Sequence, residues 1–207
     1  MTSQIIIALL LGYAFGCIQS AYIVSTVFGK IDIREHGSGN AGASNITAIM
    51  GINYGVFVAF VDALKGATAV WIARAIFPDM STLHYLAGIG AMFGHIFPFY
   101  MKFRGGKGVA TLVGMIFGLK FGLGFVFILL VLIPGLLTDY IVMGSFGSFI
   151  GLLVYTWIAG YEMPLVIVAL LLNIMIVYLH RGNLQRIRAG EETKISDVVD
   201  IKKIFKK

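Results

Sequence analysis

Apolar residues occur in long blocks separated by short polar punctuation, and the blocks approach the ~20 residues a helix needs to cross a bilayer. Residues 5–28 read as a first helix and 29–52 as a long polar loop. Residues 53–77 read as a second helix, closed by the tight turn Pro78-Asp79-Met80-Ser81. A third helix covers 83–101 and runs into a glycine-rich turn. Residues 140–160 and 164–179 give two further spans separated by Tyr161-Glu162-Met163, and a tail follows from His180.

The stretch 109–137 is long for one crossing and short for two, with Gly118, Lys120, Gly122 and Gly124 in its first half. Cation placement decides it, because loops on the cytoplasmic side are enriched in Lys and Arg. Lys30 and Arg34 lie in the first loop, Lys102, Arg104 and Lys107 follow the third helix, and the tail carries Arg181, Arg186, Arg188, Lys194, Lys202, Lys203, Lys206 and Lys207. The turns at 78–81, 138–139 and 161–163 carry no cation. Only two short crossings, broken near Lys120, put every basic segment on one side. The expected architecture is therefore all-α, a polytopic integral membrane protein with seven transmembrane helices, the N-terminus outside and the C-terminus cytoplasmic. It reads as a single membrane domain over residues 1–207, with residues 181–207 as a basic cytoplasmic tail. The end of that tail, 197–207, fits either a short amphipathic helix lying on anionic lipid or a solvated basic end.

Composition agrees: 58% of the 207 residues are hydrophobic and 13% charged, which excludes an ordinary soluble domain. The first apolar run lacks a basic leader and a small-residue cleavage site, so it reads as a retained span. Cys17, the one cysteine, has no internal partner for a disulfide and reads as a small core residue. The net charge of +6 is concentrated in the three basic segments, which points to topology and an anionic ligand and not to nucleic acid.

Three polar constellations carry candidate chemistry. Arg104-Gly105-Gly106-Lys107-Gly108-Val109-Ala110-Thr111 is a basic glycine-rich turn leading into a helix. Its uncrowded backbone, its helix N-terminus and Lys107 suit a phosphate. It is not a Walker A loop, since Met101 stands where the first glycine belongs and Gly108 follows Lys107. Residues 37–45, Gly-Ser-Gly-Asn-Ala-Gly-Ala-Ser-Asn, fit the spacing G-x-G-x-x-G. A dinucleotide site would need a βαβ unit, and here both flanks are apolar helices. Ser38, Asn40, Ser44 and Asn45 instead offer neutral donors for a phosphoryl or carbonyl oxygen, the alternative being Ser44 or Asn45 as a helix cap. The third group is His180-Arg181-Gly182-Asn183, where His180 and Asn183 are spaced to share a helical face. Asp62 and Lys65 read as a structural pair within the second span. His36, His84, His95 and His180 are too scattered to suggest a metal set, and no cofactor is expected.

With these motifs in order, the chain resembles the bacterial acyl-phosphate:glycerol-3-phosphate acyltransferases of the PlsY type. The resemblance spans Gly29-Lys30-Ile31-Asp32-Ile33-Arg34, residues 37–45, Asp62-Ala63-Leu64-Lys65-Gly66, Gly94-His95-Ile96-Phe97-Pro98, residues 105–111, His180-Arg181-Gly182-Asn183 and Gly190-Glu191. It implies transfer of a fatty acyl group from acyl phosphate to the 1-hydroxyl of glycerol 3-phosphate, at a site facing the cytoplasm from a bacterial plasma membrane. By the same resemblance Ser38, Asn40, Gly42 and Ser44 would line the acyl-phosphate pocket, and Gly39 and Asn45 would belong to the substrate-binding residues. Lys107 with Gly105 and Gly106 would grip phosphate, and Ser145, His180 and Asn183 would complete the chamber. Two positions depart from the family: Ala48 and Asp139 stand where basic residues are usual, and Arg181 is the cation available to compensate, unless the acceptor is less charged.

The His-x4-Asp dyad of other glycerolipid acyltransferases is absent: Ala41, Ile89, Tyr100 and Gln185 stand five residues after the four histidines. An acyl phosphate is already activated, so a substrate phosphate oxygen is the expected proton acceptor, with the enzyme positioning the reactants. A transporter of a phosphorylated metabolite would use similar loops, but it calls for a symmetric second half, and the sequence has no internal repeat.

Overall fold

The computed structural model describes residues 1–198, and no strand occurs among them. Residues 199–207, most of the expected amphipathic tail, lie outside the described part. The chain divides into two compact units, Met1–Phe125 and Val126–Lys207.

The first unit opens with α1 (Thr2–Gly16) and the short α2 (Ser20–Val24), which continues into a π-helical turn, Ser25–Gly29. The single helix expected over 5–28 is thus interrupted at Cys17–Gln19. The physical reason is the Gln19 side chain: its Nε2 donates to the carbonyls of Gly16 (3.3 Å), Gly94 (3.3 Å) and His95 (3.1 Å), drawing the backbone out of register. A 3-10 turn, Ile33–Glu35, is followed by α3 (Ala43–Met50), so the expected loop contains a helix. Buried Ile46 anchors it, and Gly51 at φ 96° ends it before α4 (Ile52–Ile76).

Next comes α5 (Ser81–Ile96), which stops short of the expected 101. Pro98 disfavours helical backbone at Phe97, which sits at φ −126°, ψ 59°. The last turn of residues up to Met101 is a separate 3-10 turn, Phe99–Met101.

α1 and α5 touch backbone to backbone. Gly12 and Gly16 face the carbonyls of Ala87 and Ala91, while Gly90 and Gly94 face those of Leu9 and Tyr13; a methyl group at any of the four would overlap a carbonyl oxygen. Paired small-xxx-small faces of this kind let helices approach without intervening side chains. The same device joins α4 to α6 (Val109–Leu119), where Gly66 meets Thr111 and Gly114 meets Ala63.

The expected break falls at Lys120, in extended backbone (φ −151°, ψ 97°), and α7 (Phe121–Thr138) follows. Arg74 Nη2, from the last turn of α4, donates to the exposed Leu119 carbonyl at 2.9 Å and so closes α6.

In the second unit the body of α7 packs on α8 (Ile141–Ile158) through Gly144 and Gly147, which face the carbonyls of Val131 and Leu130. α9 (Met163–Leu179) joins α8 through Asn173 Nδ2, which donates to Phe149 O at 2.9 Å. The basic segment after it begins as a helix: α10 (Arg181–Ala189) continues from α9 at a bend of 44°. Gly190, at φ 74°, ends α10, and a last short helix α11 (Ile195–Val198) follows.

Among the described residues, four helical segments can cross a membrane by length and composition, Thr2–Gly29, Ile52–Ile76, Phe121–Thr138 and Ile141–Ile158, with the bent pair α9–α10 as a fifth. Val109–Leu119 is a shorter apolar helix.

Asp139 anchors the start of α11. Its Oδ1 accepts from Ser196 N at 2.9 Å, its Oδ2 accepts from Ser196 Oγ, and its carbonyl accepts from Ile195 N at 2.9 Å. The Ser196 side-chain hydrogen bond, then that from the Ser196 amide, hold the Asp139 carboxyl below its ordinary value. Because the folded-state carboxyl is the stronger acid, the attachment is fully present above the unfolded-state value of about 3.9 and is lost as pH falls through the lower, folded-state one. Asp139→Ala should therefore raise hydrogen exchange at the Ser196 amide roughly five- to tenfold at neutral pH. Unchanged exchange in the variant would show that α11 is held by something else.

Candidate active site

Two of the three basic segments meet within the first unit. Residues 33–45 form a closed turn wound around the side chain of Asn45, which is buried. Asn45 Oδ1 accepts from Ser38 N at 3.0 Å, and Nδ2 donates to the carbonyls of Ile33 (3.1 Å), His36 (2.9 Å) and Asn40 (3.1 Å). Both the donor and the acceptor group of the amide are thus engaged in the loop itself. The alternative reading, Ser44 or Asn45 as a helix cap, does not hold at α3, whose N-cap is Gly42 without a side-chain cap. Ser38 and Ser44 are exposed, Gly39 and Asn40 half-buried, and Gly42 buried. Ala48 lies exposed on α3, so the position carries no cation in this chain.

Arg34 stitches this loop to the next. Its Nε and Nη2 donate to Asp32, at 2.6 Å for the Nη2–Oδ2 contact, and its Nη1 reaches the Met101 carbonyl at 3.3 Å. The guanidinium lies 5.1 Å from the Tyr22 ring centroid. The hydrogen bonds from Arg34 hold the Asp32 carboxyl below its ordinary range.

The glycine-rich turn differs from the sequence reading in one respect. Gly105 N donates to Ile96 O at 3.1 Å and Gly106 N to His95 O at 3.0 Å, so these two amides cap the end of α5 and do not face an anion. The helix end left by Pro98 has carbonyls that need donors, and the glycines supply them. Gly106 lies so close to its surroundings that a β-carbon would collide with His95 Nε2 and come within 2.8 Å of the Ala41 carbonyl oxygen. This is where the glycine-rich turn and the first loop touch. The first turn of α6, which follows Gly108 (φ 82°) without a side-chain cap, starts directly after half-buried Lys107.

Behind the turn lies a buried polar cluster, only part of which the sequence suggested. Asp62 and Lys65 pair at 2.8 Å. Lys65 Nζ also reaches Ile18 O at 2.6 Å and His95 Nδ1 at 2.8 Å, while Ser20 Oγ donates to Asp62 Oδ1 at 2.8 Å. His95 was legible only as part of a compact Gly-His-Ile-Phe-Pro block; nothing in its spacing from Asp62 and Lys65 shows that they meet.

The third segment belongs to the second unit. His180 is buried; its Nδ1 donates to Ile176 O at 3.0 Å, which leaves Nε2 as the acceptor nitrogen of a neutral ring, and the ring lies 5.4 Å from that of Phe146. Asn183 is held by Glu192: Asn183 Nδ2 donates to Oε1 at 2.7 Å, and Arg186 Nε donates to Oε2 at 2.8 Å. The orienting role of Glu192 has one sequence signal, an acid placed just after a helix-ending glycine, which can fold back on that helix. Arg181 stacks on Tyr178, 4.0 Å from its ring centroid, and donates to the Tyr178 carbonyl at 3.0 Å. Ser145 is buried on α8.

Comparison with known proteins concerns the chain as a whole. The family model described as glycerol-3-phosphate acyltransferase matches residues 6–190. Proteins named glycerol-3-phosphate acyltransferase are 34% identical in Thermoanaerobacter pseudethanolicus, over 95% of this chain and 98% of that one. The relative in Coxiella burnetii is 38% identical, over 92% and 97%. A crystal structure of PlsY, an integral membrane glycerol 3-phosphate acyltransferase, in its glycerol 3-phosphate form superposes with TM-score 0.82 at 30% identity, covering 98% of this chain and 99% of that one. The lysophosphatidic acid form of PlsY gives 0.77, covering 92% and 94%. The chain belongs to the glycerol-3-phosphate acyltransferase family.

Proposed function

We propose that the protein transfers a fatty acyl group from acyl phosphate to the 1-hydroxyl of glycerol 3-phosphate, giving lysophosphatidate and inorganic phosphate. The observation that carries the reading is the junction of the two loops at Gly106 and Ala41, which sets Lys107 and the uncapped start of α6 beside a serine- and asparagine-bearing turn. Lys107 and the α6 amides would take the phosphoryl oxygens. Ser38, Asn40 and Ser44 would orient the acyl-phosphate carbonyl, with Gly39 and Gly42 leaving room for the donor, and Asn45 would act by holding their loop. In the second unit, Ser145, His180, Asn183 and Arg181 are assigned to substrate contacts.

In the reaction the 1-hydroxyl oxygen bonds to the acyl carbonyl carbon, the bond from that carbon to the phosphate oxygen breaks, and phosphate leaves with the hydroxyl proton. A phosphate oxygen is the proposed proton acceptor, since the mixed anhydride is already activated; His180 Nε2 would orient the hydroxyl. Lys107→Ala should lower kcat/KM by about a thousandfold, the scale of losing a preorganised donor to developing charge, and His180→Ala by about tenfold. The assay is purified protein, acyl phosphate and labelled glycerol 3-phosphate, followed by lipid extraction. Equal losses at the two positions would make His180 the base. Glycerol in place of glycerol 3-phosphate should give no product; product from both would point to an acceptor less charged than glycerol 3-phosphate.

We further infer seven crossings (α1 with its continuation, and α4 to α9) in a bacterial plasma membrane, N-terminus outside, with the substrate loops on the cytoplasmic side. The break at Lys120 and the clustering of cations support this. In a Cys17→Ser background, cysteines introduced at Asp79 and Glu162 should react with an impermeant maleimide in intact cells, and those at Lys102 and Arg188 only after lysis. The opposite pattern would overturn the topology.

A further inference from the structure

The cluster formed by Ser20, Asp62, Lys65 and His95 is a buried polar group that the reaction above leaves unused. Their exposures are 4%, 1%, 4% and 4%. An ammonium group has three hydrogens, and Lys65 Nζ has three acceptors within 2.8 Å: Ile18 O, Asp62 Oδ1 and His95 Nδ1. Lys65 has no lone pair to offer as an ammonium, so His95 Nδ1 is the acceptor and the proton of the neutral ring sits on Nε2. The orientation of the ring is thereby fixed from behind. Its far edge, Nε2, lies against Gly106, at the position a β-carbon would fill. The His95 backbone reaches the same residue, its carbonyl taking both the Gly106 amide (3.0 Å) and Gln19 Nε2 (3.1 Å).

We infer that Asp62, Lys65 and His95 are positioning residues for acyl transfer, forming a buried strut that sets the glycine-rich turn, and with it Lys107, at the height needed to meet the phosphoryl group. The inference rests on the function proposed above and adds three residues that touch no substrate. Asp62 pairs with Lys65 at 2.8 Å, and Ser20 fixes the Asp62 carboxylate. Lys65 spans from the break after α1 to α5, and His95 carries that constraint to the turn. A strut of this kind is needed because glycines provide no side chains of their own to hold the turn in place.

If the strut acts through Lys107, removing it should matter only while Lys107 is present. Lys65→Met and His95→Ala should each lower kcat/KM about a hundredfold, chiefly in kcat, the scale expected of a misplaced catalytic group. In a Lys107→Ala background the same substitutions should lower it less than about threefold. Losses of thirtyfold or more recurring in that background, or near wild-type rates in the single variants, would overturn the inference. Thermal unfolding in detergent identifies variants that fail to fold. For those, Asp62→Asn and His95→Gln, which keep the shape of the cluster, are held to the same criterion. Wild-type protein that forms no lysophosphatidate would remove the acyl-transfer reading and the inference together, whereas active wild-type with unaffected variants would remove the inference alone.

Discussion

A lysine buried among apolar helices is tolerable only when every one of its hydrogens finds an acceptor, since an unpaired charge in such surroundings is among the costliest features a fold can carry. Lys65 meets that condition with one carbonyl, one carboxylate and one imidazole drawn from three chain segments. The requirement reaches outward in each direction. It needs Ile18 outside regular helix so that its carbonyl is available, which the break after α1 provides. It needs α5 at a rotation that brings His95 inward, which the glycine-to-carbonyl contacts with α1 provide. The local irregularities of the first unit are thus conditions for one buried charge and not imperfections in a helical bundle.

The same economy explains the glycine-rich turn. A run of glycines beside a lysine invites the reading that its amides embrace an anion, and two of them do not: Gly105 and Gly106 satisfy the carbonyls left bare where α5 ends. The turn is therefore a C-terminal cap first and an anion site second. Its small residues serve close approach, to His95 on one side and to Ala41 on the other, and the charge is delegated to Lys107 and the following helix.

Much of this was legible from hydrophobic runs and cation placement. The apolar helices, the interruption at Lys120, the pairing of Asp62 with Lys65 and the family motifs all follow from patterns a few residues apart. What escaped depends on contacts between distant positions. The interruption at Cys17–Gln19 has no proline or glycine pair to announce it and arises because a glutamine side chain finds carbonyls some 75 residues further on. α3 hides inside a polar stretch because a single buried isoleucine is enough to anchor two turns. α10 reads as a charged tail because its polar composition masks its helical form. Asp139, an anion where the family usually has a cation, becomes intelligible once Ser196 is seen to rest on it.

The face shared by α1 and α5 carries one more implication. Where Gly12, Gly16, Gly90 and Gly94 lie against carbonyl oxygens, no larger side chain has anywhere to go, whereas Ile6 and Leu10 on the same α1 are half exposed or more. Sequence drift in this protein is accordingly channelled. The outward surface of the first helix can exchange one aliphatic residue for another as the surrounding lipid changes, while these four positions of the inner seam admit essentially no vocabulary beyond glycine.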